Sequence, residues 1–190
     1  AFHGFEVTAY DIDDAALERA GERFQGLAGR YVTDAVDGAS DGGANAAIAR
    51  IRLTTSLEDA VASADLVVDA VPENLELKQG IYRRMADAAP SSTIFATNSS
   101  TLLPSALADA TGRPDRFLAL HFANEIWSHN TAEVMGTPAT DPAVYAEVVE
   151  FARGIGMVPI EIKKEKAGYL LNSLLVPFLQ AAGERLVDAI

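Results

Sequence analysis

Short apolar runs alternate along the chain with stretches in which apolar residues recur every three or four positions. Residues 5–10 (FEVTAY) read as a strand, after which Leu17, Ala20, Phe24, Leu27, Ala28 and Tyr31 line one side of an amphipathic helix. Ile51–Thr54 is a second short strand, and Ser56 then caps a small helix that runs through Ala62. Residues 66–71 are almost wholly apolar, the pattern of a strand covered on both faces. A helix with Leu77, Ile81, Met85 and Ala88 on one side follows. Buried strands come next over 93–97 and Phe117–Phe122, with a further strand over 131–135. Asp141 followed by Pro142 marks a helix start; Val144, Val148, Phe151 and Ile155 form its inner side, and residues 157–162 make the last strand.

Strands separated by helices with short links imply an α/β fold, a doubly wound Rossmann-type parallel sheet with helices on both faces. Residues 34–47 (DAVDGASDGGANAA) mix acidic and amide side chains with glycine and alanine, and read as a mobile excursion. Residues 168–190 read as one long apolar helix with no strand after it, the start of an all-α second domain. The expected division is therefore 1–165 and 166–190. A dinucleotide-binding sheet of this type opens with a strand and a G-x-G-x-x-G turn. No such turn occurs here, and residues 1–4 suit the end of the helix that would follow it, with Gly4 as its C-terminal cap. The first strand and glycine turn are thus expected to be absent, and a sheet without that central strand is expected to be unstable alone.

Composition adds limits. Apolar residues make up 49% and charged residues 22% of 190, ordinary for a globular protein. There is no cysteine, so no disulfide framework or thiol nucleophile is available, and no metal site is expected. Fifteen basic against 27 acidic residues give a net charge of −12, which repels phosphate backbones and anionic lipids. Nucleic acid and membrane are therefore not expected as partners. A dinucleotide pyrophosphate remains compatible, because backbone N–H groups at a helix start can hold it. Residues 1–5 lack the pattern of a signal peptide, no apolar run reaches bilayer length, and a cytoplasmic location is expected.

Candidate chemistry gathers at strand ends. Asp11, after the first strand, suits the ribose hydroxyls of NAD and would repel the 2′-phosphate of NADP; it also suits a helix cap, clustered as it is with Asp13 and Asp14. The segment 67–75, with Ala70, Val71 and Glu73, leaves a buried strand where open α/β sheets hold ligands. Glu73 equally suits a first-turn acid facing a helix dipole, and Lys78 a solvated helix face. Asn98-Ser99-Ser100 is either a ligand turn or a polar turn. His121 ends an apolar strand, where a packed core histidine is the ordinary occupant. Glu133 stands twelve residues on, in another apolar segment, and two adjacent strand ends would pair the two as a general base.

Taken in order, VVDAVPENLELK (67–78), TNSSTL (97–102), DRFLALHF (115–122), AEVM (132–135) and KAGYLLNSLLVPFL (166–179) resemble the 3-hydroxyacyl-CoA dehydrogenases. The resemblance implies an N-terminal NAD-binding domain, a C-terminal helical domain that forms a homodimer, and oxidation of an L-3-hydroxyacyl-CoA, here a short-chain one such as 3-hydroxybutyryl-CoA, to the 3-ketoacyl-CoA. By position, His121 matches the family's catalytic histidine, Glu133 its carboxylate partner, Ser100 the serine that meets the substrate oxygen, and Asn172 the asparagine beside it. Asp11, Ala70, Val71, Glu73, Lys78 and Asn98 fall around the cofactor. Two departures stand out. The family follows its histidine with Phe-Phe-Asn-Pro, whereas His121-Phe122 is followed here by Ala123-Asn124-Glu125-Ile126-Trp127, placing a buried Glu125 and a bulky Trp127 near the substrate. Family lysines that meet CoA phosphates have no counterpart before Lys78; Arg19, Arg23 and Arg30 either replace them or form a solvated face. A free hydroxy acid or sugar acid, as taken by the related gulonate dehydrogenases, is the alternative substrate. A non-catalytic NAD-binding protein is the third reading.

Overall fold

A computed structural model describes residues 1–187. Strands β1 (Val7–Tyr10) and β2 (Ile51–Thr54) pair in parallel as one sheet. A second sheet runs in the order β3 (Leu66–Asp69), β4 (Ile94–Thr97), β5 (Phe117–Phe122), β6 (Thr131–Gly136) and β7 (Val158–Ile162). The intervening helices are α1 (Asp14–Thr33), α2 (Ala44–Ala49), α3 (Leu57–Val61), α4 (Leu75–Ala88), α5 (Ser105–Ala108), α6 (Pro142–Gly154) and α7 (Leu171–Val187). The fold is of the expected Rossmann type, with one difference. Strands β3, β4 and β5 are parallel, but β6 runs antiparallel to β5 and β7 follows β6. The reason is length: the link 123–130 is too short for the crossover of a dozen or more residues that a parallel return requires.

Alternation along the strands builds a core on each face of the larger sheet. Ile94, Ala96, Leu118, Leu120 and Val134 pack against Val144, Val148, Val149 and Ala152 of α6. On the opposite face Phe95 and Phe117 pack with Leu57 and Val61 of α3 and Tyr82 and Met85 of α4, and Tyr10 of β1 joins that cluster. The helix starts lie where their caps predict: Ser56 Oγ accepts from Asp59 N–H at 3.1 Å, and Asp141 Oδ1 from Ala143 N–H at 2.6 Å, with Pro142 at the first helical position. Gly4 takes a left-handed φ of 89° and closes a turn, not a helix, its N–H donating to the Ala1 carbonyl at 2.9 Å.

Residues 34–47 do not form the expected excursion. They make a tight turn over Ala39–Gly43 and then α2, and Ala39 and Ala44 pack against Ala28 of α1. The glycines serve this turn: Gly38 and Gly42 adopt φ of 75° and 86°, and a Cβ on Gly43 would sit 2.3 Å from the Gly38 carbonyl oxygen. The apolar C-terminal stretch is helical as α7, with Pro177 inside it and Leu174, Leu175, Val176, Phe178 and Leu179 exposed. The last three positions of the expected 168–190 helix lie outside the described residues.

Candidate active site

Strands β3, β4 and β5 end side by side, because their register sets Asp69 beside Thr97 and Thr97 beside Ala119. Ala70, Asn98 and His121 therefore share one sheet edge, the C-terminal edge at which open α/β sheets hold ligands. Asn98 ties two of these ends together, its Oδ1 accepting from Phe122 N–H at 2.9 Å. Asp11 follows β1, exposed, with its Oδ1 accepting from Ile12 N–H at 2.8 Å.

The antiparallel turn of β6 makes His121 and Glu133 direct cross-strand partners. His121 Nδ1 lies 2.7 Å from Glu133 Oε2, with the carboxylate fully buried and the imidazole 12% exposed. An ionised carboxylate only accepts, so this partner assigns the proton to Nδ1 and leaves Nε2 as the ring's acceptor. The other oxygen, Oε1, accepts from the N–H groups of Leu170 and Leu171 at 2.7 and 2.9 Å. Glu133 is thus seated at the positive N-terminal end of α7 while it orients the imidazole. Asn172, one residue further, donates from Nδ2 to the Ser100 carbonyl at 3.1 Å. The start of α7 therefore joins the histidine–glutamate pair to the Ser100 turn, bringing together the four residues that the resemblance named.

Lys78 is not on a solvated face. Its side chain is 1% exposed, and Nζ donates to Asp69 Oδ1 at 2.5 Å and to the Val71 carbonyl at 3.1 Å, with Glu73 Oε2 at 3.7 Å. Tyr82 completes the cluster, its hydroxyl donating to Asp69 Oδ2 at 2.5 Å. Burial, then the Asp69 charge and its hydrogen bond, push the Tyr82 phenol far above its ordinary range. Glu73 precedes the helix cap Asn74 and does not face the dipole as a first-turn residue. Instead its Oε1 accepts from Thr101 Oγ1 at 2.7 Å, from Thr101 N–H at 3.1 Å, and from Ser99 Oγ. Burial pushes the Glu73 carboxyl up, but the hydrogen bonds from Ser99 and Thr101 and the Lys78 charge together outweigh it and leave the group below its usual range.

The Glu125 expectation fails. Glu125 is exposed, at a left-handed φ of 55°, and its Oε1 accepts from Arg30 Nη1 at 2.8 Å. Trp127 lies over α1: its ring is 5.1 Å from that of Tyr31, the Arg30 guanidinium sits 4.8 Å from its centroid, and Nε1 donates to Asp34 Oδ2 at 2.8 Å. Both side chains find their partners on α1 and its C-terminal cap Asp34, and not in the site. Arg30 is accordingly neither a free phosphate ligand nor a merely solvated residue.

Two residues escaped the sequence reading. Asp69 ends a strand, where a polar residue attracts no notice, and its partners lie nine and thirteen residues on, across a helix. Tyr169 is fully buried at φ 54°, with its ring 5.2 Å from the His121 ring. A left-handed tyrosine costs about 1–2 kcal/mol, and nothing in the pattern KAGYLLN announces it beyond the preceding glycine. Its hydroxyl donates to the Leu102 carbonyl at 3.2 Å. Burial, and behind it the Glu73 and Glu133 charges, push this phenol up as well.

The chain is similar in sequence and fold to known proteins. Residues 1–166 match the family model described as 3-hydroxyacyl-CoA dehydrogenase, NAD binding domain. The human mitochondrial hydroxyacyl-coenzyme A dehydrogenase is 38% identical over 135 residues, which are 71% of this chain and 43% of that protein. The 5-formyl-3-hydroxy-2-methylpyridine 4-carboxylate 5-dehydrogenase of Mesorhizobium japonicum is 32% identical over 179 residues, 94% of this chain and 56% of that one. The chain thus spans about half the length of these relatives. Among solved structures, a diketoreductase described for its dual catalysis of dicarbonyl compounds superposes with a TM-score of 0.95 at 63% identity, covering 99% of this chain and 66% of that one. With the model match running over residues 1–166, the chain belongs to the 3-hydroxyacyl-CoA dehydrogenase family and matches its NAD-binding domain.

Proposed function

We propose that this protein interconverts a 3-hydroxyacyl group and its 3-keto counterpart, with His121 as the general base and Glu133 as its partner. The observation that carries the reading is the 2.7 Å contact of Glu133 with Nδ1, which turns Nε2 outward as the proton acceptor. In the oxidising direction Nε2 takes the hydroxyl proton, and the buried Glu133 carboxylate offsets the charge that appears on the ring. Ser100 and Asn172 orient the reacting oxygen, contributing position and not bond-making. When bound, NAD supplies the acceptor for the hydride that leaves the carbinol carbon.

The side chains at the sheet edge fit that cofactor. Asp11 is an exposed acceptor suited to the two ribose hydroxyls, and Ala70 and Val71 offer an exposed to half-buried apolar rim. Lys78 acts from beneath through the Val71 carbonyl, Glu73 through the 99–102 turn, and Asn98 by holding that turn to β5. The proposed substrate is a short-chain L-3-hydroxyacyl-CoA.

A second reading takes a substrate without CoA: a free hydroxy acid or a dicarbonyl compound. Its support is the engagement of Arg30 by Asp34 and Glu125, which leaves the end of α1 acidic and unsuited to CoA phosphates, together with the 63% identity to a diketoreductase. Initial rates on the full-length protein with 3-hydroxybutyryl-CoA, free 3-hydroxybutyrate, gulonate and, in reverse with NADH, a β-dicarbonyl ester decide the matter. The first reading expects the highest kcat/KM with the CoA thioester. A free acid or dicarbonyl compound ahead of it by tenfold or more would overturn that choice and establish the second.

A further inference from the structure

We propose that Tyr169 is a positioning residue of this site, holding the His121 imidazole and the Ser100 turn in one fixed arrangement; the inference rests on the proton-transfer reading above. Tyr169 touches both halves of the site at once. Its ring centroid lies 5.2 Å from that of His121 at an interplanar angle of 46°. Its hydroxyl donates to the carbonyl of Leu102, in the same turn as Ser100. Tyr169 itself is fully buried, whereas His121 and Leu102 are half-buried.

The backbone shows that this placement is enforced. Gly168 and Tyr169 are consecutive left-handed residues, with φ of 76° and 54°. Glycine adopts that conformation readily and tyrosine does not, so the surrounding contacts must over-determine it. The double turn brings the ring down onto His121 while the next two N–H groups, of Leu170 and Leu171, close on Glu133 Oε1. The Tyr169 carbonyl accepts from Ser173 Oγ, and Asn172 holds the Ser100 carbonyl. Burial first, and behind it the acidic groups Glu73, Glu133, Asp69 and Glu165, keep the phenol's proton in place, so the hydroxyl stays a donor to Leu102. The tilted contact fixes the plane of the imidazole against the tyrosine ring.

Two variants of the full-length protein separate these roles. Tyr169→Phe keeps the ring and deletes only the bond to Leu102. It is expected to lower kcat/KM for the hydroxy substrate about tenfold through the loosened Ser100 turn, with KM for NAD within twofold and the acid limb of the kcat profile unmoved. Tyr169→Leu deletes the ring as well. It is expected to lower kcat by roughly 10²-fold, because the imidazole loses the ring that holds its plane. Phenylalanine thus restores what leucine loses, a pattern that mere loss of folded protein does not produce. Thermal melting of both variants is measured alongside; if the leucine variant does not fold, the phenylalanine variant decides. A kcat/KM within twofold of wild type for Tyr169→Phe, or a Tyr169→Leu enzyme whose kcat is within threefold of that of Tyr169→Phe, would overturn the proposal. His121→Gln is assayed in the same series: unchanged turnover there sinks the proton-transfer reading itself, whereas lost turnover with silent Tyr169 variants sinks only the present inference.

Discussion

Replacing Lys78 by methionine removes a charge from the inside of the protein and tests whether the Asp69 cluster holds the cofactor edge together. The two side chains are 1% and 2% exposed and meet at 2.5 Å. Methionine keeps most of the lysine stem, so packing changes little and the loss is electrostatic. Asp69 then remains buried with the Tyr82 hydroxyl as its donor, and an uncompensated buried charge costs about 3–5 kcal/mol. The Val71 carbonyl loses its 3.1 Å donor as well, adding about 0.5–1.5 kcal/mol. Against a total stability of about 5–15 kcal/mol this is a large fraction. Urea denaturation of the full-length protein, followed by far-ultraviolet circular dichroism, reads the change as the midpoint shift multiplied by the slope. A second variant, Asp69→Leu combined with Lys78→Met, removes both charges. Tyr82 keeps its 3.1 Å bond to the Ala96 carbonyl, so the double variant should recover most of the loss. A single variant within 1 kcal/mol of wild type, or a double variant no better than the single, would refute the reasoning. NAD binding by the single variant should weaken, since the Val71 carbonyl is released.

Glu133→Gln should lower turnover about tenfold or more, because the imidazole loses the carboxylate that orients it and fixes its tautomer; turnover within twofold of wild type would count against the pair. Alkali should destabilise the fold: burial first, then neighbouring carboxylates, raise the Tyr82 phenol well above 10.0 and Tyr145 to about 12. Above pH 10 the unfolded chain releases protons that the folded chain keeps, so stability falls as pH rises through that value. Urea midpoints between pH 9 and 11 should decline, and Tyr82→Phe should flatten the decline; equal slopes would contradict the assignment.

Much of this was legible in the sequence. Apolar runs such as Phe117–Phe122 located the strands because a sheet covered on both faces leaves no room for polar residues there, and Ser56 and Asp141 marked helix starts because their side chains satisfy orphan N–H groups. The direction of β6 was less accessible. Alternation is the same in either sense, and only the brevity of the 123–130 link carried the information. That reversal is what sets Glu133 across from His121. The roles of Asp69, Glu125 and Tyr169 depend on partners distant in sequence or on a backbone angle, neither of which leaves a periodic trace. The 34–47 segment misled because its alanines pack as well as they dissolve; contact with Ala28 decides which.

The central claim is that one imidazole, aimed by one buried carboxylate, moves the substrate proton. Steady-state kinetics of His121→Gln in the full-length protein, with NAD affinity measured on the same sample, tests it most directly. Turnover should fall by roughly 10²–10⁴-fold while the dissociation constant for NAD stays within twofold. Turnover within threefold of wild type would contradict the account.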